Sequence, residues 1–286
     1  MAKPASRTYA AGLDGSDISS EAFDAILRIL KRLRGFHLDI YKDKCIKRRI
    51  AIRIRKTGCA SAREYGELLM GDSTEPDFLL KVLTIHVSQF FRNPSAFEKL
   101  KKEIFPYLFA RCENEGRDSL KLWSVGCAGG EEPYSLALIL KEAFAPDIQR
   151  TKVSILATDV DQEVLETAQA GVYREDRLAE IPAETRERWF TPEGDDFRLE
   201  QEIRDMVTFR RSDLFNIDAM PDSDLILCRN VLIYLERDHQ EKILKRFADA
   251  LHEGGVLVLG KAETLVGESR RRFQTICPIE RIYRAV

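Results

Sequence analysis

A chain of 286 residues has room for two modest domains, and with 44% hydrophobic residues it can bury a sizeable core. A formal net charge of −2 argues against a protein that coats nucleic acid through uniform positive charge. No apolar run approaches the ~18 residues needed to span a bilayer. Residues 1–19 are rich in Ala, Gly, Ser and Asp and lack the apolar core of a secretory signal, so a flexible tail on a cytoplasmic protein is expected. Cys45, Cys59, Cys112, Cys127, Cys228 and Cys277 form no C-x-x-C pair and have no histidine at ligand spacing, so reduced thiols and no metal site are expected.

Residues 20–91 carry helical patterns and no convincing strand. Phe23, Ile26, Leu27 and Leu30 recur at helical spacing within 20–33. Further helices are predicted at 42–56, 62–70 and 76–85, and a linker-region helix from Pro94 to about Cys112. The texture changes at Leu120. Residues 120–125 read as a strand, 126–130 as a glycine turn and 131–144 as a helix; a strand at 153–157 is followed by a helix at 161–170. Residues 224–228 and 255–259 are further strands, separated by a helix at 238–251, and 273–284 fits an antiparallel closing element. Strands alternating with helices imply an α/β fold with a parallel sheet over 118–286. Short strands at 197–199 and 206–210, with turn-rich residues before them, suggest a small β excursion at about 191–210.

Four segments carry chemistry. In LKLWSVGCAGGEEPYS (120–135) a strand enters a glycine turn and then a helix, bringing main-chain N–H groups close to a ligand. Glu131 and Glu132 at the helix start suit the helix dipole but would repel a phosphate, so a cationic or amine-bearing ligand fits better. In SILATDVD (154–161), Asp159 ends the second strand, where an acid can accept both hydroxyls of a ribose, while Asp161 suits a helix N-cap. Glycine turn and acid together point to a nucleoside with an amino-acid tail. In DLILCRNVLIY (224–234), Arg229 and Asn230 stand at a strand end, with Tyr234 just beyond, open to a core or a site role. In HVSQFFR (86–92), Arg92 follows two core aromatics and is open to a surface or a cleft role.

Taken in order, F-F-R, G-x-x-G-G-E-E-P-Y-S, T-D-V-D and C-R-N-V-L-I-Y resemble the chemotaxis-receptor glutamate O-methyltransferase family, over roughly residues 20–286. The resemblance implies an all-α N-terminal domain before a class I (Rossmann-like) S-adenosylmethionine-dependent methyltransferase domain with an inserted β subdomain. It implies cofactor contacts at His86, Ser88, Arg92, Glu132, Asp159, Asp213, Leu214, Arg229 and Asn230, with Glu132 on the methionine amino group and Asp159 on the ribose. Arg92 and Tyr234 would serve the transfer itself. The product would be S-adenosylhomocysteine, with no metal. His86 and Asp213 stand where the family commonly has Asn, and Lys261 where it has His.

Residues 42–56 carry a net +7, leaving −9 for the rest of the chain. On a helix, Lys44, Arg48, Ala51 and Arg55 form one stripe and Arg49, Arg53 and Lys56 another, with Ile46, Ile50 and Ile54 facing inward. Such density suggests an acidic partner. The resemblance implies the methylation helices of a chemoreceptor, contacted through Lys44, Arg48, Arg53 and Arg55, rather than nucleic acid. A monomer that approaches a membrane only through its receptor is expected. The alternatives are a methyltransferase of another acidic protein, a small molecule or RNA, and a non-catalytic module that binds cofactor or receptor.

Overall fold

The computed structural model describes residues 17–34, 41–83, 88–215 and 220–286; most of the expected tail, the end of the helix expected at 76–85, and His86 lie outside the described residues. Contacts divide the chain into two units, Met1–Ile85 with Tyr234–Glu236, and His86–Ile233 with Arg237–Val286. Among the described residues, no helix is long and apolar enough to cross a membrane.

The first unit is built on α1 (Ser20–Arg34), α2 (Asp43–Thr57), α3 (Ala62–Gly71) and α4 (Glu75–Leu83). Its core draws Phe23, Ile26 and Leu30 from α1, Ile46, Ile50 and Ile54 from α2, and Tyr65, Leu69 and Leu79 from α3 and α4. The helical periodicity of the sequence therefore carries directly into packing. Residues 234–236 complete this unit: the Lys42 N–H donates to the Tyr234 carbonyl at 2.8 Å, and Tyr41 bridges Leu235.

The second unit begins with α5 (Pro94–Lys99), a wide π turn at Leu100–Ile104 and α6 (Phe105–Asn114). The single helix expected at 94–112 is widened there because Pro106 lacks an N–H and its ring would collide with the carbonyl four residues back. The sheet strands are β1 (Ser119–Val125), β2 (Lys152–Asp159), β6 (Val207–Arg211), β7 (Ser223–Cys228), β8 (Leu251–Leu259), β9 (Phe273–Cys277) and β10 (Ile282–Ala285). Their order is β6-β2-β1-β7-β8-β10-β9, parallel through β8 and antiparallel at β10 and β9. Every residue of β7 is buried, as a central parallel strand with both faces covered requires. Helices α7 (Glu131–Ala143), α8 (Ala145–Arg150), α9 (Gln162–Ala170) and α12 (Arg237–Ala250) provide the crossovers. The chain runs outward from β1 through β2 to β6, then returns to β7 on β1's other side, so the strand order reverses between β1 and β7.

The small antiparallel sheet exists, with a composition different from the expected one. It is β3 (Val172–Arg174), β5 (Asp196–Leu199) and β4 (Phe190–Glu193), in that order, accompanied by α10 (Ala183–Trp189) and α11 (Gln201–Arg204). The strand expected at 206–210 forms as β6 but belongs to the main sheet, pairing in parallel with β2 from Ile155↔Val207 to Asp159↔Arg211. A three-residue strand such as β3 is too short to show a period-2 signal.

Candidate active site

Open parallel sheets bind ligands beyond the strand C-termini at a reversal of strand order. Beyond β1 the chain turns through Gly126, Ala128 and Gly130 at φ of +66°, +48° and +86°. The Thr158 carbonyl accepts from the N–H groups of Gly126 (2.8 Å) and Cys127 (3.0 Å). Asp159 Oδ2 accepts from the Ala128 N–H at 3.0 Å and Oδ1 from the Asp161 N–H at 3.1 Å, so this carboxylate is held against the turn. The turn is also wedged sideways. A Cβ on Gly126 would lie 2.5 Å from Val231 Cγ2, and one on Gly130 2.9 Å from Ala168 Cβ.

Glu132, in the first turn of α7, accepts from Ser124 Oγ at 2.8 Å and lies 3.5 Å from Arg229 Nη1. Arg229 is buried; its Nη2 donates to the Arg92 carbonyl (2.7 Å) and to Asn93 Oδ1 (3.0 Å), and its guanidinium stands over the Phe97 ring. The strap from Ser88 to Asn93 is further pinned by Ser135 Oγ, which accepts the Phe91 N–H at 2.9 Å, and by Arg177 Nη1, which donates to the Ser88 carbonyl. Phe90 is fully buried against Tyr173 and Phe190, at ring distances of 4.9 and 5.3 Å, which anchors the strap with roughly 1.5–3 kcal/mol of burial. Phe91, Asn93, Ala128 and Asn230 are four of the five described non-glycine residues with positive φ. Backbone strain of this kind gathers at functional sites.

The electrostatics are acidic. Burial pushes the carboxyls of Glu131, Glu132 and Glu263 above the usual carboxylate range, outweighing the pull of Arg229 and Ser124 on Glu132 and of several main-chain N–H groups on Glu263. Burial, reinforced by Asp159 and Glu132, pushes the Cys127 thiol well up. Glu131 Oε2 and Asn230 Oδ1 are buried acceptors with no partner among the described residues. Cationic or N–H-donating groups of a ligand would satisfy them.

Of the residues singled out in the sequence, Ser88, Arg92, Glu132, Asp159, Arg229 and Asn230 are all in the sheet unit. Asp213 and Leu214 follow β6, and the neighbouring Ser212 N–H donates to the Asp159 carbonyl at 2.9 Å. Asp213 Oδ1 caps the Phe215 N–H at 2.9 Å, and the Leu214 carbonyl accepts from Arg246 at 3.2 Å. Tyr234 groups with the helical unit, where the Arg49 guanidinium lies 5.2 Å from its ring centroid. Glu263 was not singled out by sequence; its only signal is a lone acid closely following an apolar strand.

On α2, Lys44, Arg48, Arg55 and Lys56 are exposed, but Arg53 is not. Arg53 is 5% exposed and forks onto the Glu75 carboxylate, with Nε–Oε1 at 2.9 Å, which removes it from the receptor-facing set expected from sequence. Arg49 is likewise buried and donates to the Val82 and Leu83 carbonyls. Ala51 is buried and Ile52 is 41% exposed, so the outward stripe runs through Ile52 and not through Ala51. Two of the basic side chains thus serve the core, which a count of charges does not reveal.

A mostly parallel sheet whose strand reversal is lined by a glycine turn and acidic side chains is an α/β architecture suited to a cationic nucleoside cofactor, as in the methyltransferase class. Two family models match the chain, "CheR methyltransferase, all-alpha domain" over residues 21–84 and "CheR methyltransferase, SAM binding domain" over residues 86–280. The chain belongs to the CheR family of S-adenosylmethionine-dependent methyltransferases. It is 35% identical over 239 residues to a chemotaxis protein methyltransferase of Listeria innocua, covering 84% of this chain and 88% of that one. It is 30% identical over 264 residues to the chemotaxis protein methyltransferase of Borreliella burgdorferi, covering 90% and 93%. With chemotaxis protein methyltransferase 2 of Pseudomonas aeruginosa it shares 32% identity over 260 residues, covering 87% and 88%.

Proposed function

We propose that this cytoplasmic enzyme methylates glutamate side chains on the methylation helices of a chemoreceptor, giving γ-methyl esters. The observation that carries the reading is the set of carboxylates around the glycine turn, with Glu131, Asp159 and Glu263 buried and Glu132 partly buried beside Arg229. Such a cluster favours a ligand bearing both a sulfonium and an ammonium. S-adenosylmethionine supplies, when bound, an electrophilic methyl group.

The rest is done by this chain's side chains. Glu132, buttressed by Ser124 and Arg229, would hold the cofactor's amino group, and Asp159 its ribose hydroxyls. Ser88, Asp213, Leu214 and Asn230 would complete the pocket wall, and Arg229 would act by fixing Glu132 and the strap. Arg92 would orient a carboxylate, and Tyr234 would position the acceptor. The acceptor glutamate is already ionised at neutral pH, with an ordinary pKa of about 4.3, so no general base is required. Alignment of carboxylate and methyl, with water excluded, supplies the acceleration. Lys44, Arg48 and Arg55 would steer the acidic receptor helix towards the enzyme.

The test is incubation of the enzyme and methyl-labelled S-adenosylmethionine with receptor fragments. Base-labile label on the receptor is expected. Cofactor binding without any transfer to receptors would favour a module that only binds, and base-stable label would point to a different acceptor.

A further inference from the structure

Shortly after β8 ends, Glu263 is 4% exposed and closes a turn with main-chain hydrogen bonds. Its Oε2 accepts the N–H groups of Gly260 (2.6 Å) and Asn230 (2.9 Å), its Oε1 accepts that of Ile233 (3.2 Å), and the Leu232 N–H is a fourth donor. A carboxylate receiving several N–H groups fixes the segment that supplies them. Here the segment is 230–233, which leaves β7 at the reversal of strand order.

The orientation it fixes is specific. Asn230 sits at φ +63°, and its Oδ1 is buried with no hydrogen-bond partner among the described residues. The next residue, Val231, is the one against which a Cβ on Gly126 would collide, so the turn at 230–233 abuts the glycine turn. Gly260 permits the closure: a Cβ there would lie 2.8 Å from Asn230 N and 2.8 Å from Glu263 Oε2. A buried carboxylate, a left-handed asparagine and an unsatisfied amide oxygen each oppose folding. Their conjunction at one turn makes sense when the turn presents that oxygen to a ligand.

We propose that Glu263 is a positioning residue for cofactor binding: it ties the turn 230–233 to the end of β8 and so holds Asn230 Oδ1 as an acceptor for an N–H donor of the cofactor. The inference rests on the assignment of this edge as the S-adenosylmethionine site. Glu263→Gln is the direct perturbation, because it replaces one acceptor oxygen with an NH2 group facing main-chain donors at unchanged size. Asp224→Asn is the matched control. Asp224 is a fully buried acid at the opposite end of β7 that likewise accepts a main-chain N–H, from Lys121 at 2.9 Å, and an arginine, Arg117, at 2.7 Å.

Calorimetry with S-adenosylhomocysteine on the full chain decides the matter. Wild type is measured first, and absence of binding there would defeat the site assignment itself. With wild type binding, Glu263→Gln is expected to raise Kd about tenfold or more, while Asp224→Asn stays within about twofold despite losing thermal stability. In an Asn230→Gly background, which keeps the left-handed backbone and removes the amide, Glu263→Gln should change Kd by less than about twofold, because residues acting as a unit are not additive. Should Glu263→Gln fail to fold, Gly260→Ala disturbs the same turn with the carboxylate retained, and is held to the same criteria. Unchanged Kd in the turn variant, an equal loss in Asp224→Asn, or an undiminished effect in the Asn230→Gly background would each overturn the proposal.

Discussion

Replacing Arg53 with Ala separates two roles for a basic residue on α2. Arg53 and Glu75 are 5% and 4% exposed, joined by two hydrogen bonds of 2.9 and 2.5 Å, and Tyr65 donates to the same carboxylate at 2.6 Å. Removing the arginine leaves Glu75 buried, with the Tyr65 hydroxyl as its remaining side-chain donor among the described residues. Breaking a buried pair from one side costs about 3–5 kcal/mol. For a unit of well under 100 residues, each kcal/mol moves the unfolding midpoint by about 4–8 °C, so a drop of at least ~12 °C in the helical unit's transition is expected. Arg48→Ala and Lys44→Ala remove exposed charges and should stay within ~1 kcal/mol of wild type. Replacing both buried partners, as Arg53→Met with Glu75→Gln, should recover much of the loss, since neither charge is then stranded. Calorimetric scans of the four variants give the answer. An Arg53→Ala protein with an unchanged transition but lost receptor methylation would refute the burial argument and return Arg53 to the docking surface.

Acidification should weaken cofactor binding from an unusually high pH. Burial raises the Glu132 carboxyl above its ordinary 4.5, and a cationic ligand favours the ionised form, so affinity should be level above that raised pKa and fall roughly tenfold per unit below it. Fold stability runs the other way: a raised carboxyl contributes stability that is present below the unfolded value and lost as pH rises through the folded one. Calorimetric affinity that stays constant down to pH near 4.5 would dismiss Glu132 as the cation's partner. Asp159→Asn should weaken S-adenosylhomocysteine about 10–100-fold through loss of a charged acceptor, and unchanged binding would remove its ribose role. Lys44→Glu/Arg48→Glu/Arg55→Glu should depress receptor methylation strongly while leaving cofactor Kd alone, and wild-type methylation should fall with added salt; salt-insensitive transfer would disprove charge steering.

The sequence disclosed what depends on local period and local chemistry. The helices of the first unit, the strand–glycine turn–helix at 119–143, the Asp161 cap and the closing hairpin all follow from spacing or from single residues with one physical role. What it withheld depends on contacts between distant segments. Val207–Arg211 looks like any short strand until its pairing with β2 is known. Arg53 looks like its exposed neighbours until Glu75, distant in sequence, is placed beside it. Glu263 acts on main-chain groups thirty residues earlier, and main-chain donors leave no trace in side-chain identity. The roles proposed for Arg92 and Tyr234 rest on family likeness, since neither spacing nor periodicity marks them.

Residues 234–236 give the helical unit a late arrival. During synthesis its four helices emerge first, and N-terminal units generally begin to fold before the rest of the chain is made. Yet the bridge partner of Tyr41 and the ring beneath Arg49 come about 190 residues later, a sequence separation that slows closure through loop entropy. The unit therefore has a provisional form on the ribosome and a finished form only once the sheet's central strand β7 has been translated. A fragment cut after residue 85 should fold to the provisional form, with the α2 N-terminus missing its hydrogen bond from Lys42 to Tyr234. Supplying a peptide that spans residues 232–237 should then slow amide exchange at Lys42.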